Sequence, residues 1–202
     1  MLELFPEDKT EFSPSIPDGE VNYCSSFLST NEADILFAKL LATTPWQSDS
    51  ITVYGKTYNQ PRLTSLHAID ETPYSYSNIT MQPNPMTPVL RAILKKIETY
   101  SKHSFNAVLL NLYRDGKDSN GWHADNEKEL GKNPVIASIS LGQERFFHLQ
   151  NRTIKEERFK LKLAHGSLLL MSGSLQHHWL HQIPKTTRPL EPRINLTFRT
   201  LQ

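Results

Sequence analysis

The stretch Arg193-Ile194-Asn195-Leu196-Thr197-Phe198-Arg199 alternates apolar and polar residues without a break. In an extended chain successive side chains point to opposite faces. Ile194, Leu196 and Phe198 therefore share one side, and Arg193, Asn195, Thr197 and Arg199 the other. So regular an apolar stripe predicts a strand packed on one side. Its polar side carries two guanidinium groups, each suited to bidentate recognition of a carboxylate. A solvent-facing edge strand is the plainer alternative for such a pattern.

Working outward, period-two patterning begins near residue 105, with candidate strands at 106–114, 134–141, 144–150, 157–163, 167–171, 177–183 and 192–200. Short strands at that density, separated by turn residues, predict a β-sandwich or barrel of jelly-roll type. In Asn111-Leu112-Tyr113 the alternation puts Asn111 and Tyr113 on one face, with Leu110 and Leu112 on the other. Polar groups on an inward face are costly unless a ligand or partner satisfies them.

Upstream the pattern is helical. Ser29-Thr30-Asn31-Glu32 reads as a capping box, and Ile35, Leu36, Leu40 and Leu41 follow at helical spacing, predicting a helix over about 30–43 that Pro45 closes. Thr87-Pro88 opens a second helix to about residue 102, with Leu90, Ile93, Leu94 and Ile97 as its stripe. Between them, residues 46–82 are rich in aromatic, β-branched and turn residues and predict hairpins. Residues 1–20, acidic with three prolines, predict an irregular arm.

The chain has 202 residues, 38% hydrophobic and 21% charged, with net charge +1. One domain over 1–202 is expected, and bulk charge makes no claim on nucleic acid. The single cysteine, Cys24, excludes an internal disulfide framework and fits a reducing compartment. No apolar run of about 18 residues predicts a membrane span. The acidic N-terminus lacks a signal-peptide pattern. An intracellular monomer is expected, cytoplasmic in a bacterium or nuclear in a eukaryote.

Gly121-Trp122-His123-Ala124-Asp125 carries the most pointed chemistry. A His and an Asp two positions apart can aim a nitrogen and an oxygen at one metal ion, a donor set that suits Fe(II). The spacing alone is common by chance. A third ligand is available from His177, His178 or His181, with His177 and His181 on one face of a strand. His67, His103, His148 and His165 lack a partner carboxylate at ligand spacing. A His-x-Asp pair, a distant His and then an Arg form the two-His-one-carboxylate pattern followed by an anchor for a dicarboxylate.

From about Asn106 to Arg199 the chain resembles the AlkB-type Fe(II)/2-oxoglutarate dioxygenases. The matching runs are Asn-Leu-Tyr-Arg-Asp-Gly at 111–116, His-Ala-Asp at 123–125, Ala-Ser-Ile-Ser-Leu-Gly at 137–142, His-Gly-Ser-Leu-Leu-Leu-Met at 165–171, His-Trp-Leu-His at 178–181 and Pro-Arg-Ile-Asn-Leu-Thr-Phe-Arg at 192–199. More loosely, Val53-Tyr54-Gly55-Lys56 and Pro61-Arg62 resemble the nucleotide-recognition lid of the subgroup that repairs duplex DNA.

The resemblance implies a mainly β, α+β fold: a double-stranded β-helix (jelly-roll) core over 105–200, helices packed outside, and a lid over 46–82. It implies that His123, Asp125 and His181 hold Fe(II), with 2-oxoglutarate and O2 as cosubstrates. Arg193 and Tyr113 would hold the distal carboxylate of 2-oxoglutarate; Asn111, Asn195 and Arg199 would contact the chelating end, or Arg199 would brace Asp125. Tyr76 would stack on a flipped base, with Tyr74, Arg62 and Glu127 among the substrate contacts and Tyr54 as an intercalating finger. The reaction implied is demethylation of bases such as 1-methyladenine and 3-methylcytosine in duplex or single-stranded DNA, releasing succinate, CO2 and formaldehyde. RNA, a protein or a small molecule is the alternative substrate. Lys155, Arg158, Lys160 and Lys162, or Lys185 and Arg188, are candidate phosphate contacts, with a plain solvated face as the alternative for the first group.

Overall fold

A computed structural model describes the backbone of residues 2–3, 11–53, 56–70, 74–76 and 79–202, and the side chains of 11–50, 59–70 and 81–202. In chain order the first strands are β1 (Leu2–Glu3), β2 (Glu11–Phe12), β3 (Glu20–Cys24), β4 (Ser50–Val53), β5 (Lys56–Asn59), β6 (Leu63–Ala68), β7 (Tyr74–Tyr76), β8 (Ile79–Met81) and β9 (Asn84–Pro85). They are followed by β10 (Ala107–Tyr113), β11 (Asn120–His123), β12 (Ile136–Gly142), β13 (Arg145–Asn151), β14 (Arg158–Leu163), β15 (Ser167–Ser172), β16 (Trp179–Ile183) and β17 (Arg193–Arg199). The helices are α1 (Thr30–Thr43), α2 (Pro88–Ser101) and a single turn, α3 (Leu175–His178).

The strands build an eight-stranded sheet, β2-β3-β15-β12-β17-β10-β6-β9, and a five-stranded sheet, β1-β14-β13-β16-β11. The large sheet is covered on both sides. On one, Val108, Leu110 and Leu112 of β10, Ala137, Ile139 and Leu141 of β12 and Ile194, Leu196 and Phe198 of β17 pack with Leu36 and Leu40 of α1 and Leu90, Leu94 and Ile97 of α2. On the other, Leu109, Leu169 and Met171 meet Phe147, Leu149, Leu161, Leu163 and Trp179 of the small sheet. This is the sandwich that the period-two patterning predicts.

The helices begin and end where their caps dictate. Ser29 and Glu32 form the reciprocal capping box at the head of α1, and Thr87 accepts from the Leu90 amide at the head of α2. α2 stops at Lys102, whose φ of 62° takes the chain out of the helix.

Three regions depart from expectation. Within the span read as a lid, β6 belongs to the large sheet and pairs with β10 in antiparallel register. Its Ser65 and His67 interrupt the apolar alternation, because they bond to each other and to Asn84 and the Pro85 carbonyl. Among the described residues of that span, β4–β5 and β7–β8 stand apart, as two separate antiparallel pairs. The arm is not wholly irregular: β1 runs parallel to β14, β2 pairs with β3, and the Trp179 indole donates to the Pro17 carbonyl at 2.8 Å. The strand expected over 177–183 starts late. Gly173, with φ of 63°, turns the chain out of β15, and residues 175–178 coil into α3 before β16 begins.

Candidate metal centre and dicarboxylate cup

The alternation of β10, β12 and β17 sends their polar residues into the space between the sheets. Strand register aligns them: Asn111 lies opposite Asn195, Tyr113 opposite Arg193, and Ser140 opposite Asn195. From the small sheet, β11 and β16 bring His123 opposite His181. Asp125 follows two residues on, its backbone amide donating to Gln176 Oε1 at 2.9 Å. His123, Asp125 and His181 thereby place one ligand atom each within 4.8 Å of one another. Each imidazole Nε2 is 3.9 Å from an Asp125 oxygen, and the two rings lie 4.2 Å apart edge to face. His177 and His178 are exposed on α3, so the third-ligand choice left open by sequence falls to the buried His181.

Electrostatics keep this trio ready for a cation. Burial disfavours an Asp125 carboxylate, but Arg199, donating to its Oδ1 at 3.0 Å, and then His181 and His123 outweigh that and hold its pKa at about 2. Burial, with His123 close by, lowers His181 to about 3. Burial likewise lowers His123, against the pull of Asp125. At neutral pH the site is one carboxylate and two neutral imidazoles, the form that ligates metal. Two metal–ligand bonds of about 2.1 Å reach across about 4.2 Å, so the 3.9 Å His–Asp separations are short enough for these residues to hold one ion between them.

Beside it lies a cationic cup. Arg193 is only 1% exposed. One of its nitrogens donates to Ser140 Oγ at 2.9 Å, and its guanidinium sits 5.1 Å from the Tyr113 ring centre. Its Nε and Nη1 are buried with no hydrogen-bond partner among the described residues. Burial pulls the Arg193 pKa down to about 10, so it stays charged. A buried, charged, half-satisfied guanidinium is costly alone and calls for an anion. The remaining polar groups are tied together: Asn111 donates to Asn195, Asn195 to Ser138 and the Ile139 carbonyl, and Thr197 to Asn195.

The structure brings all eight proposed iron and cosubstrate residues to one cavity: His123, Asp125, His181, Asn111, Tyr113, Arg193, Asn195 and Arg199. Arg199 takes the bracing position on Asp125. Arg62, read as a lid residue, is buried in the cavity wall, where its Nε donates to Asn111 Oδ1 at 2.8 Å. Glu127 is half-buried at the head of the turn Lys128–Leu130. Tyr74 and Tyr76 lie on β7, their side chains outside the described residues, and Tyr54 is outside them altogether.

Several residues escaped the sequence reading. Gln176 fixes the Asp125 backbone, and Phe147 stacks on His181 at 5.2 Å. Arg145, also buried, donates to the carbonyls of Asp115, Asp118 and Pro184, and its guanidinium lies 5.7 Å from the Tyr113 ring centre. Ser138 and Ser140 were findable by the same alternation that exposed Asn111.

Residues 20–199 match the family model described as the 2OG-Fe(II) oxygenase superfamily. Over 196 residues the chain is 43% identical to alpha-ketoglutarate-dependent dioxygenase alkB homolog 3 of Homo sapiens, covering 92% of this chain and 68% of that protein. The chain belongs to the AlkB-type 2OG-Fe(II) dioxygenases. The AlkB homolog 3 of Bos taurus is 45% identical over 187 residues, 88% of this chain and 65% of that protein. DNA oxidative demethylase ALKBH2 of Homo sapiens is 36% identical over 180 residues, 84% of this chain and 69% of that protein. This AlkB-type chain thus spans about two thirds of the length of its curated relatives, as little as 65%. A solved structure titled "The structure of OsALKBH1" shares the fold at a TM-score of 0.66 and 18% identity, covering 93% of this chain and 99% of that one. The family takes Fe(II), 2-oxoglutarate and O2. The His-Asp-His donor set suits the metal, and the open nitrogens of Arg193 suit the carboxylate.

Proposed function

We propose that this chain is an oxidative demethylase of N-alkylated bases in DNA, of the 1-methyladenine and 3-methylcytosine type. The observation that carries the oxidative part is the adjacency of the His123–Asp125–His181 cluster to the half-satisfied guanidinium of Arg193. Likeness to relatives named as DNA oxidative demethylases supports the DNA part.

Fe(II), when bound, supplies O2 activation with 2-oxoglutarate as the electron source. The chain's own residues bind and orient. Arg193, with Tyr113 and Ser140, grips the distal carboxylate; Asn111 and Asn195 face the other end. Arg199 keeps Asp125 ionised and aimed. Arg62 serves the cup by holding Asn111, and so meets substrate only at the cavity wall. A base inside a stack is out of reach of a buried centre, so the target nucleotide is flipped out. Tyr76 and Tyr74 on their hairpin, Glu127 and the exposed edge of His123 receive it, and Tyr54 fills the gap it leaves.

The test incubates the protein with Fe(II), ascorbate and 2-oxoglutarate, and with methylated single-stranded DNA, duplex DNA and RNA oligomers, read by mass. Loss of the methyl group from DNA is expected. Loss from RNA alone, or succinate formed with no oligomer changed, contradicts the DNA assignment. Tyr54→Ala is expected to weaken repair of duplex several-fold more than of single strands; equal losses on both remove the finger.

A further inference from the structure

The pairing of β11 with β16 slips between Asn120 and His123. In a regular strand two positions three apart face opposite sides. Here both line the cavity, with Asn120 Nδ2 3.0 Å from His123 Nε2. The slip, a bulge of the kind that re-aims side chains beside functional sites, leaves Gly121 and Trp122 both exposed on the outside. Trp122 is 40% exposed, whereas Trp179 is fully buried and Trp46 partly so. Gly121 has neither a left-handed φ nor a packing reason to be glycine: a Cβ there would meet nothing within 4 Å. Glycine in a strand often marks a bulge or a place where a ligand or another backbone approaches closely, and the open space at Gly121 leaves room for such an approach.

The outer face continues across the five-stranded sheet. The Trp122 ring lies 6.4 Å from that of His148. His148 stands opposite Lys160 on β14, and the Lys160 ammonium lies 4.2 Å over the Phe146 ring. Arg158, Lys160 and Lys162 occupy successive outward positions on β14. Three strand spacings put that row about 14 Å from β11. Glu144 pairs with Lys162 at 2.9 Å, and Glu156 and Glu157 lie in the turn beyond. In a chain of net charge +1, this row of cations is a local feature rather than a bulk one.

An aromatic platform beside a line of cations complements a single strand, whose bases stack and whose phosphates track positive charge. It begins one residue from a metal-ligand candidate. Resting on the demethylase reading, we propose that the outer face of the five-stranded sheet holds the DNA single strand flanking the target base. A neighbouring base stacks on Trp122, and the backbone runs over Arg158 and Lys160.

The test measures anisotropy of a labelled, unmodified oligothymidylate with the full chain across a salt series. Trp122→Ala is expected to weaken binding about 10-fold. Arg158→Gln with Lys160→Gln should make the salt slope shallower by about one to two. Lys39→Gln with Lys95→Gln, the same charge change on exposed positions of α1 and α2, should leave binding as in wild type. The proposal is overturned if the face variants bind like wild type, or if the helix variant weakens binding equally. It is also overturned if the face variants alter only the oligomeric state, since the face would then seat a second copy. Scoring demethylation in the same preparation separates the two readings: wild-type repair with unaffected variants removes only the face, whereas no repair and no oligomer binding removes both.

Discussion

The two sides of the large sheet are both buried and both carry an apolar core, but β10, β12 and β17 gather a buried polar cluster on one side of it. Toward the helices, β10, β12 and β17 present Val108, Leu110, Ile139, Leu141, Ile194, Leu196 and Phe198, all buried. Toward the small sheet, beside Leu109, Tyr113 and Ile136, they present Asn111, Ser138, Ser140, Arg193, Asn195, Thr197 and Arg199, also buried. Each large apolar side chain on the first side contributes roughly 1.5–3 kcal/mol. Each unsatisfied polar atom on the second costs roughly 1–3 kcal/mol. The apolar residues of both faces make the fold stable; the polar cluster on the second draws on that stability to keep a charged, preorganised cup. Burial alone therefore does not distinguish core from site, but the partners of the buried atoms do.

The contrast can be broken most strongly at the metal cluster. Asp125→Ala or His123→Ala should abolish 2-oxoglutarate turnover, since a metal ligand is gone. Succinate production at the wild-type rate would sink the assignment of the trio. On the opposite face, Leu196→Ala should cost about 2–5 kcal/mol of stability, measured by chemical denaturation. A loss under 1 kcal/mol would show that this side does not stabilise the fold.

Arg193→Met sharpens the difference. Replacing a half-satisfied buried charge by an apolar residue of similar length is often neutral or stabilising. Without 2-oxoglutarate the variant should melt at or above the wild-type temperature. A clear drop would mean that Arg193 serves the fold rather than the ligand.

A further effect is in acid. In the metal-free protein, Asp125 titrates at about 2 when folded, below its ordinary 3.8. Its contribution is present above about 4 and is lost as pH falls toward 2. His181 is depressed from 6.5 to about 3, so the unfolded chain takes up its proton first. Stability is therefore also lost as pH falls from 6.5 toward 3. Urea midpoints should decline over that window and flatten in His181→Asn; a flat wild-type curve contradicts the pKa assignments.

Much of this was legible from local pattern. The capping box at Ser29, the alternation through Arg193–Arg199 and the His-x-Asp pair each depend on neighbours in sequence. What was hidden depends on distant partners. β6 looks unlike a core strand until Asn84 and Pro85 satisfy its Ser65 and His67. His177 seemed to share a face with His181 because the turn at Gly173 breaks a periodicity that sequence alone extends. Arg145 gave no signal, since its three acceptors are backbone carbonyls from two separate loops.

The polar side of the sheet offers a dicarboxylate site, at Arg193, beside a metal site. Calorimetric titration of 2-oxoglutarate into protein loaded with Mn(II), a redox-silent stand-in, tests this directly in wild type and Arg193→Met. Saturable one-to-one binding that weakens about 10- to 100-fold in the variant is the predicted result. Equal affinity in the two proteins, or no binding by wild type, would contradict it.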